Sequence, residues 1–371
     1  MPRKEQLSGN QLTNLVIIFL LGTSVITGSR VLVSAGRSAW AALLLAAAGA
    51  VPLILILGAL QKRFPGKNIA EYSEIILGKF LGKFLNLVYL IYLLLLLVLI
   101  SDNLSLIYTA LFYIRTPTWF FDLTLYLLCF LGAWGGLNCI GSLAEIASPL
   151  IGLVIILTSI LAFISPTAEF NRLFPMLTEG LKPILQAAWF TFAFPFGEIV
   201  VLATFFSAVE KGKSIVMPFL KGLVAGTAIY LFTAVRNLVV LGPEVLGLQS
   251  FPSATVVRMI QVGGFIERVE AFIVIFWVLS IFMKAVIVFY ASSLFAVQIF
   301  PVKNKMLFWP LIILIAFLVD VYLINTQFLI NYINENIYPY MVVLQIFAPA
   351  FLLLVAQFRG LKAKERGTNS A

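Results

Sequence analysis

The sequence predicts an all-α integral membrane protein with ten membrane-spanning helices, arranged as two inverted repeats of five helices whose first members are broken. The first observation is composition, because 61% of the residues are hydrophobic, 11% are charged and the mean hydropathy is +1.05. The second is a pair of interrupted apolar segments, at residues 22–28 and 194–198, in matching positions of the two halves. Paired interruptions of this kind mark the substrate site of secondary transporters.

The apolar stretches are long enough to cross about 30 Å of hydrocarbon and lack the polar alternation of a barrel strand, so each is predicted to be a helix. We number them spans 1 to 10. Their predicted limits are 12–35, 38–60, 84–110, 119–138, 141–164, 183–208, 214–241, 265–299, 306–327 and 338–358. The chain is then a single membrane domain over 1–371, with one repeat over about 12–164, a second over about 183–358, and tails at 1–11 and 359–371.

The net charge of +9 is explained by membrane topology rather than by nucleic-acid binding. We call the side of the membrane at which span 1 begins the near face and the opposite side the far face. Loops and tails of the near face carry about twice as many Lys and Arg residues as those of the far face, with clusters at Lys62–Arg63 and Lys362–Arg366. The positive-inside rule therefore predicts that both termini are cytoplasmic.

Short helices are predicted in equivalent connections of the two repeats. The connection after span 2, Asn68–Gly78, has a capping-box pair in Asn68 and Glu71 and a terminating glycine. The connection after span 7, residues 251–264, begins a helix near Pro252 and ends it at a glycine pair. The first lies on the near face and the second on the far face, as an inverted repeat requires.

Span 1 contains the small residues Gly22, Thr23, Ser24 and Gly28. One interpretation is close helix packing, which small residues favour in membranes. The other is that the helix unwinds here, so that the second half-helix directs free N–H groups at a substrate carboxylate. Because span 6 has a corresponding break, we expect the second interpretation to hold.

Span 6 contains the run Phe194, Pro195, Phe196, Gly197 and Glu198. Proline alone only kinks a membrane helix, but the neighbouring glycine and carboxylate favour a binding site. A carboxylate inside a bilayer costs at least about 2.5 kcal/mol unless it faces a cavity or a partner. Freed carbonyl groups and Glu198 are predicted to receive an ammonium group, or Glu198 to bond span 1, with the two Phe side chains as an apolar wall.

Four further positions are candidates for function. Lys284 lies too far from either end of span 8 to reach water by extending its side chain, and Glu145 in span 5 is a possible counter-ion or a residue near the membrane surface. Asp102 interrupts the apolar run of span 3 and is predicted to line the cavity. Arg236 is interpreted either as a surface charge or as part of a far-face lid network with Glu244 or with Glu267, Arg268 and Glu270.

The chain contains no histidine, and it has no phosphate-binding loop, zinc-ligand spacing, nucleophile elbow or nucleic-acid module. We therefore predict that the protein is not an enzyme, that it has no cofactor or metal, and that it binds no nucleic acid. Its expected partners are a small solute and membrane lipid.

Several of these segments resemble a known family. Pro195–Glu198, Phe251–Ser253 and Phe265–Glu270, followed by Trp277 and Lys284, are similar to the GerAB-type B subunits of spore germinant receptors, within the amino acid–polyamine–organocation superfamily. The resemblance covers nearly the whole chain and implies a LeuT-like fold. It also implies a subunit in the spore inner membrane that binds a germinant such as an L-amino acid and assembles with A and C subunits.

The same resemblance suggests a role for Lys284, since LeuT-like transporters commonly hold a sodium ion between spans 1 and 8. An ammonium group at that place would substitute for the ion and make sodium coupling unnecessary. An amino-acid permease, with Lys284, Glu198 or Glu145 as candidates for proton coupling, fits the same residues, and so does a structural subunit with a vestigial pocket. Sensor and transporter need the same pocket and differ only in whether alternating access is completed.

Overall fold

The computed structural model describes residues 5–30, 32–175, 180–210, 212–260, 269–300, 302, 304–323 and 332–361. This part of the chain is almost entirely helical. Nine of its helical segments have at least 18 residues and are apolar enough to cross a membrane, and a tenth, Thr118–Trp134, has 17 residues. A length of 17 residues is at the short end of the range that spans a bilayer. The protein is therefore an integral membrane protein with a helix at each of the ten predicted positions.

The first five spans form a continuous series of helices. Their bounds are Gly9–Leu21 and Ser24–Thr27 for span 1, Ala39–Arg63 for span 2, Lys79–Leu111 for span 3, Thr118–Trp134 for span 4 and Gly136–Ile164 for span 5. Span 4 ends before the predicted residue 138 and span 5 begins before the predicted residue 141. The cause is Gly136, whose φ of +71° ends the first helix, so that the next begins at once.

The second five spans repeat this arrangement. Their bounds are Leu181–Thr191 and Gly197–Ala208 for span 6, Val216–Leu248 for span 7, Val269–Ile299 for span 8, Trp309–Leu323 for span 9, and Tyr338–Met341 with Ala348–Phe358 for span 10. The predicted start of span 8, residues 265–268, lies outside the described residues.

Contacts between loops place alternate helix ends on the same face. On the near face, the Leu7 N–H donates to the Ala208 carbonyl at 2.9 Å, and Lys83 Nζ donates to the Ile299 carbonyl at 2.8 Å. These bonds join the start of span 1 to the end of span 6, and the start of span 3 to the end of span 8. Both bonds agree with successive helices running in opposite directions, as ten membrane crossings require.

Both predicted surface helices are present. The near-face helix is Ile69–Leu77, and Asn68 and Glu71 form its capping box through reciprocal bonds of 2.9 and 2.8 Å. The far-face helix is Pro252–Met259, with the proline in its first turn. It ends earlier than predicted, because Ile260 already has an extended backbone with ψ of 113°.

Burial follows the pattern of a membrane protein. Large apolar side chains such as Phe80, Ile164 and Phe358 are strongly exposed on the outside, where lipid would surround them. Charged side chains including Glu198, Arg236 and Lys284 are buried inside the bundle. Since an ionisable group is costly in hydrocarbon, these buried residues mark the places where function is expected.

Candidate functional site

The break in span 1 lies at the predicted position. The helix ends at Leu21, Gly22 N–H still donates to the Ile18 carbonyl at 2.8 Å, and the chain continues through Thr23 into a helix of only four residues, Ser24–Thr27. The Ser24 hydroxyl donates back to the Leu20 carbonyl and so bonds a backbone group next to the break. The second half-helix is much shorter than the sequence suggested.

The break in span 6 is more open. Phe194 has an extended backbone, with φ of −139° and ψ of 115°, between the helices Leu181–Thr191 and Gly197–Ala208. A side chain from span 10 fills the resulting gap, because Gln345 Nε2 donates to the Ala193 carbonyl at 2.9 Å. Gly197 permits this contact, since a Cβ atom there would lie 2.2 Å from Gln345 Oε1. The unwound backbone is thus bonded by protein rather than exposed to lipid.

Lys284 connects the two breaks. Its Nζ atom lies 2.5 Å from Glu198 Oε2, immediately after the break of span 6, and 3.4 Å from Thr23 Oγ1, at the break of span 1. Both side chains of the ion pair have no exposed surface. Lys284 is close to the midpoint of span 8, Val269–Ile299, so the pair lies near the centre of the membrane.

Gly22 is the reason that Lys284 fits. A Cβ atom at this position would lie 2.5 Å from Lys284 Cδ and 2.8 Å from Lys284 Cβ, closer than carbon atoms approach. The lysine stem therefore passes directly over the backbone of span 1. Glycine is required here by close approach, and the small-residue packing interpretation and the broken-helix interpretation both apply to the same residue.

Aromatic rings complete the surroundings of the ammonium group. Lys284 Nζ lies 5.1 Å from the centre of the Phe19 ring and 5.0 Å from the centre of the Phe194 ring, within the range of cation–π attraction. The Tyr338 hydroxyl donates to Glu198 Oε1, and its ring meets Phe194 edge to face at 6.2 Å. Each Glu198 oxygen thus has one partner, as a buried carboxylate needs.

The structure brings many of the predicted residues together. Gly22, Thr23, Phe194, Glu198 and Lys284 form one contact group around the ion pair. The others lie beside it along the same two spans: Ser24 and Gly28 in span 1, and Pro195, Phe196 and Gly197 in span 6.

Two of these neighbours form a second contact. The Phe196 ring is 6.4 Å from the Tyr230 ring, and a Cβ atom on Gly28 would lie 2.2 Å from the Tyr230 hydroxyl oxygen. Span 7 therefore packs against both broken spans through one tyrosine. Phe196 is part of this contact rather than of the wall around Lys284, which Phe194 supplies.

Glu145 is not the counter-ion of Lys284. Glu145 is half-buried in span 5, and within the described ranges it has no ion pair. Glu198 takes that role instead. The physical reason is that a lysine at mid-membrane needs a partner equally deep in the protein, whereas Glu145 lies only nine residues from the near-face start of span 5.

Asp102 faces a different region from the one predicted. It is buried, and its acidic neighbours are Asp122 of span 4 and Asp320 of span 9. The Tyr126 hydroxyl donates to Asp320 at 2.8 Å, and the Ser101 hydroxyl donates to Asp122 at 2.8 Å. No described contact links this group of carboxylates to the breaks, because Asp102 lies on the side of span 3 that faces spans 4 and 9.

Arg236 is buried rather than exposed, which corrects the surface-charge interpretation. It bonds Asn237, and it does not pair with Glu244, which is exposed. Glu267 and Arg268 of the predicted lid lie outside the described residues. Glu270 lies within the helix of span 8, and its predicted coupling role stays a prediction.

Sequence reasoning missed three members of the central site, Phe19, Tyr338 and Gln345. A signal existed for Gln345, since it is a polar residue within the apolar run of span 10. Tyr338 and Phe19 carried no such signal, because aromatic residues are common at the ends and on the faces of membrane helices.

Comparisons with known proteins place this architecture in context. Residues 6–329 match the family described as Spore germination protein. Among characterised sequences, the chain is 28% identical to Spore germination protein YndE of Bacillus subtilis (strain 168) over 79% of this chain and 81% of that protein. It is 25% identical to Spore germination protein KB of the same organism over 96% of both chains.

Solved structures support the fold. The crystal structure of MhsT in complex with L-phenylalanine matches 97% of this chain and 91% of that chain with a TM-score of 0.71 and 14% identity. Mhp1, a nucleobase-cation-symport-1 family transporter in a closed conformation with bromovinylhydantoin bound, matches 95% and 80% with a TM-score of 0.66 and 13% identity. The predicted LeuT-like membrane fold is thereby confirmed.

Proposed function

The chain belongs to the spore germination protein family, and from this premise we propose that it is the membrane subunit of a germinant receptor. In this proposal the subunit lies in the spore inner membrane with its near face in the cytoplasm. It binds a small germinant, an L-amino acid, at the site between the breaks of spans 1 and 6. It acts together with receptor A and C subunits.

One observation carries the proposal, namely that both breaks meet at a single buried ion pair near the middle of the membrane. Lys284 Nζ contacts Glu198 after one break and Thr23 at the other. Unwound helices at mid-membrane expose backbone groups that recognise polar solutes, and buried charges at such places face a substrate path.

The chemistry of the site favours a zwitterion. A ligand ammonium group would compete with Lys284 for the Glu198 carboxylate, because both are cations that need the same partner. The ligand carboxylate would lie at the break of span 1, beside Gly22, Thr23 and Ser24, where a bare glycine allows close approach. Lys284 thus occupies the site in the absence of ligand, and the ligand displaces its ammonium group.

Lys284 also replaces a sodium ion in this proposal. Its ammonium group lies between span 8 and the break of span 1, bonded to the Thr23 hydroxyl. A metal cation at the same place would meet a fixed positive charge, so ligand binding needs no sodium.

Coupling to the partner subunits is assigned to the far face. The helix Pro252–Met259 covers the far half of span 1, and the segment with Glu267, Arg268 and Glu270 leads into span 8, which bears Lys284. A ligand shifts a partner only through contacts that differ between two states. We therefore expect Arg268→Ala to impair germination more than it weakens ligand binding. Equal losses in both measurements would argue against this coupling role.

The experiment that tests the site compares two glycines of span 1. Individual L-amino acids are first screened for a rise in melting temperature of the purified protein, and the best one is used as the probe. Gly22→Ala places a Cβ atom 2.5 Å from Lys284 Cδ, whereas Gly9→Ala places one at an ordinary 3.5 Å from Pro218. We expect Gly22→Ala to weaken binding at least tenfold and Gly9→Ala to leave it unchanged. Unchanged affinity in both variants, or no binding amino acid at all, would remove the proposed site.

An amino-acid permease is the second candidate, because two helix breaks that meet at a buried ion pair would serve a transporter equally well. A permease moves its ligand across the membrane, whereas a receptor subunit need only bind it. Proteoliposomes containing the purified protein distinguish the two. Accumulation of the labelled amino acid against its gradient would establish transport, and binding without accumulation supports the receptor.

A further inference from the structure

Arg236 is a buried cation that the central site does not use. It lies in span 7, six residues before Gly242, where a φ of +74° interrupts the helix at the far face. Its residue exposure is 1%. A guanidinium group remains charged under all ordinary conditions, so this is a permanent positive charge inside the protein.

All three nitrogen atoms of the Arg236 guanidinium group donate a hydrogen bond. Nε and Nη2 both donate to Asn237 Oδ1, at 3.1 and 2.9 Å, and Nη1 donates to Thr158 Oγ1 at a long 3.4 Å. Guanidinium has five N–H groups. Two of them, one on each Nη atom, consequently have no partner within the part of the chain that the structure describes.

None of these partners carries a negative charge. The described ion pairs all involve other residues, so Arg236 has no carboxylate within reach among the positions that the structure places. A buried charge without a counter-charge is strongly unfavourable, and proteins normally supply a partner. The fully buried Lys284 shows the usual solution, because Glu198 lies 2.5 Å away.

The groups around Arg236 belong to a neutral polar cluster at the far face. Asn237 Nδ2 donates to Ser29 Oγ at 2.9 Å and to Ser253 Oγ at 3.0 Å. The Ser253 hydroxyl donates in turn to the Val25 carbonyl at 2.5 Å. Hydroxyl and amide groups therefore join the far-face helix, span 1 and span 7 beside the guanidinium group.

We propose that Arg236 binds the carboxylate of a small organic anion that arrives from the far face. Within the described residues, one N–H group on Nη1 and one on Nη2 have no partner, and the two oxygens of a carboxylate can accept from both, whereas a spherical halide is a single acceptor. Ser253 holds the far-face helix over this position, so the anion enters when that helix separates from span 1.

This carboxylate site is distinct from the central site. Arg236 donates to Asn237 and Thr158, whereas Lys284 is bonded to Glu198 and Thr23, so the two cations share no hydrogen-bond partner among the described residues. The inference depends on neither the receptor nor the permease assignment, since it concerns binding alone.

The test uses the full chain purified in detergent and sodium propionate as the probe. Propionate replaces chloride in steps at constant ionic strength, and the melting temperature is recorded. Propionamide, which has a similar shape and no charge, serves as the ligand control. We expect a saturable rise with propionate and none with propionamide. No rise on replacing chloride would overturn the assignment of a carboxylate.

Four variants identify the group responsible. Arg236→Gln should abolish the rise, and Arg236→Lys should raise the half-saturating concentration at least tenfold, because a lysine has no fork. Glu267→Gln and Glu270→Gln should respond like the wild type. If propionate raises the melting temperature of Glu267→Gln or Glu270→Gln but not that of the wild type, Arg236 is already paired with a carboxylate of the chain and the proposal fails. Arg236→Lys retains the buried charge, so it decides the question even if Arg236→Gln does not fold.

Discussion

Two cations of this protein, Lys284 and Arg236, are fully buried, and their positive charges are accommodated in different ways. Lys284 lies between the two broken spans with Glu198 at 2.5 Å, so its charge is neutralised inside the chain. Arg236 lies at the far face among Asn237, Thr158 and their hydroxyl neighbours, and the described residues give it no acid. The difference is that the chain itself supplies the counter-charge at the central site, whereas at the far face the described residues supply none.

The two cations also hold different parts of span 1. Lys284 bonds Thr23 directly at the break, and the Arg236 cluster reaches Ser29 and the Val25 carbonyl beyond it. A charged contact therefore secures the break itself, and neutral hydrogen bonds secure the half-helix on the far side. Neutral hydrogen bonds of this kind contribute about 1 kcal/mol each, so we expect the far half to separate more readily than the break.

The largest effect is expected from Glu198→Ala, which would leave the Lys284 ammonium group buried without its acid. Removing one member of a buried ion pair costs about 3–5 kcal/mol. The free energy of unfolding in detergent, followed by denaturant titration, measures the loss. Glu145→Ala is the control, since Glu145 is half-buried and unpaired in the described ranges, and we expect a change within about 0.5 kcal/mol.

A double variant measures how strongly Glu198 and Lys284 stabilise each other. In the double variant Glu198→Ala/Lys284→Ala neither charge remains, so the loss should be smaller than the sum of the two single losses by at least 1 kcal/mol, the size of coupling seen between contacting residues. Additive losses would show that the two side chains do not stabilise each other, and the contrast with Arg236 would disappear.

A smaller effect is expected from Arg236→Met. This change removes a buried charge and leaves no opposite charge behind. Three hydrogen bonds are lost, but the protein no longer bears the free-energy cost of burying a cation, and the two effects partly cancel. We expect the free energy of unfolding, measured in chloride buffer, to fall by no more than about 2 kcal/mol. A loss as large as that of Glu198→Ala would mean that Arg236 has an acid partner in the chain.

Ser253→Ala tests the neutral contacts alone. It removes the hydrogen bond to the Val25 carbonyl and one acceptor of Asn237 while leaving both buried cations in place. We expect a loss of about 1 kcal/mol, together with faster hydrogen exchange in residues 252–259. Unchanged exchange there would show that this hydroxyl does not hold the far-face helix.

No effect is expected from sodium. Lys284 already places a positive charge between span 8 and the break of span 1, so the dissociation constant of the amino-acid probe should be equal in sodium and in choline buffers. A steep dependence on sodium would falsify the role of Lys284 as an ion substitute and would imply a cation site elsewhere.

The sequence was sufficient to predict the fold and both breaks, because the signals were local. Gly22 and the Pro195–Gly197 pair interrupt long apolar runs, and Asn68 with Glu71 forms a capping box within four residues. Backbone conformation at such points depends on the residues themselves. The locations of spans, breaks and the near-face helix therefore required no knowledge of tertiary packing.

The partners within the site were not predictable in the same way. Glu198 meets Lys284 across 86 residues and Tyr338 across 140, and no spacing rule applies at such distances. Asp102 shows the converse case, since an acid in an apolar helix predicts a buried partner but does not say which face of the helix holds it. Its neighbours turned out to be Asp122 and Asp320.

The near-face bond between Leu7 and the Ala208 carbonyl gives the molecule an internal reference point. Glu5, close to Leu7, is also ion-paired with Lys305 at 3.0 Å and accepts a bond from Tyr290 at 2.6 Å. The near halves of the two broken spans therefore share one anchor. A spectroscopic distance from a label at this anchor to a label on the far-face helix would therefore report movement of that helix directly, because both broken spans share the reference point.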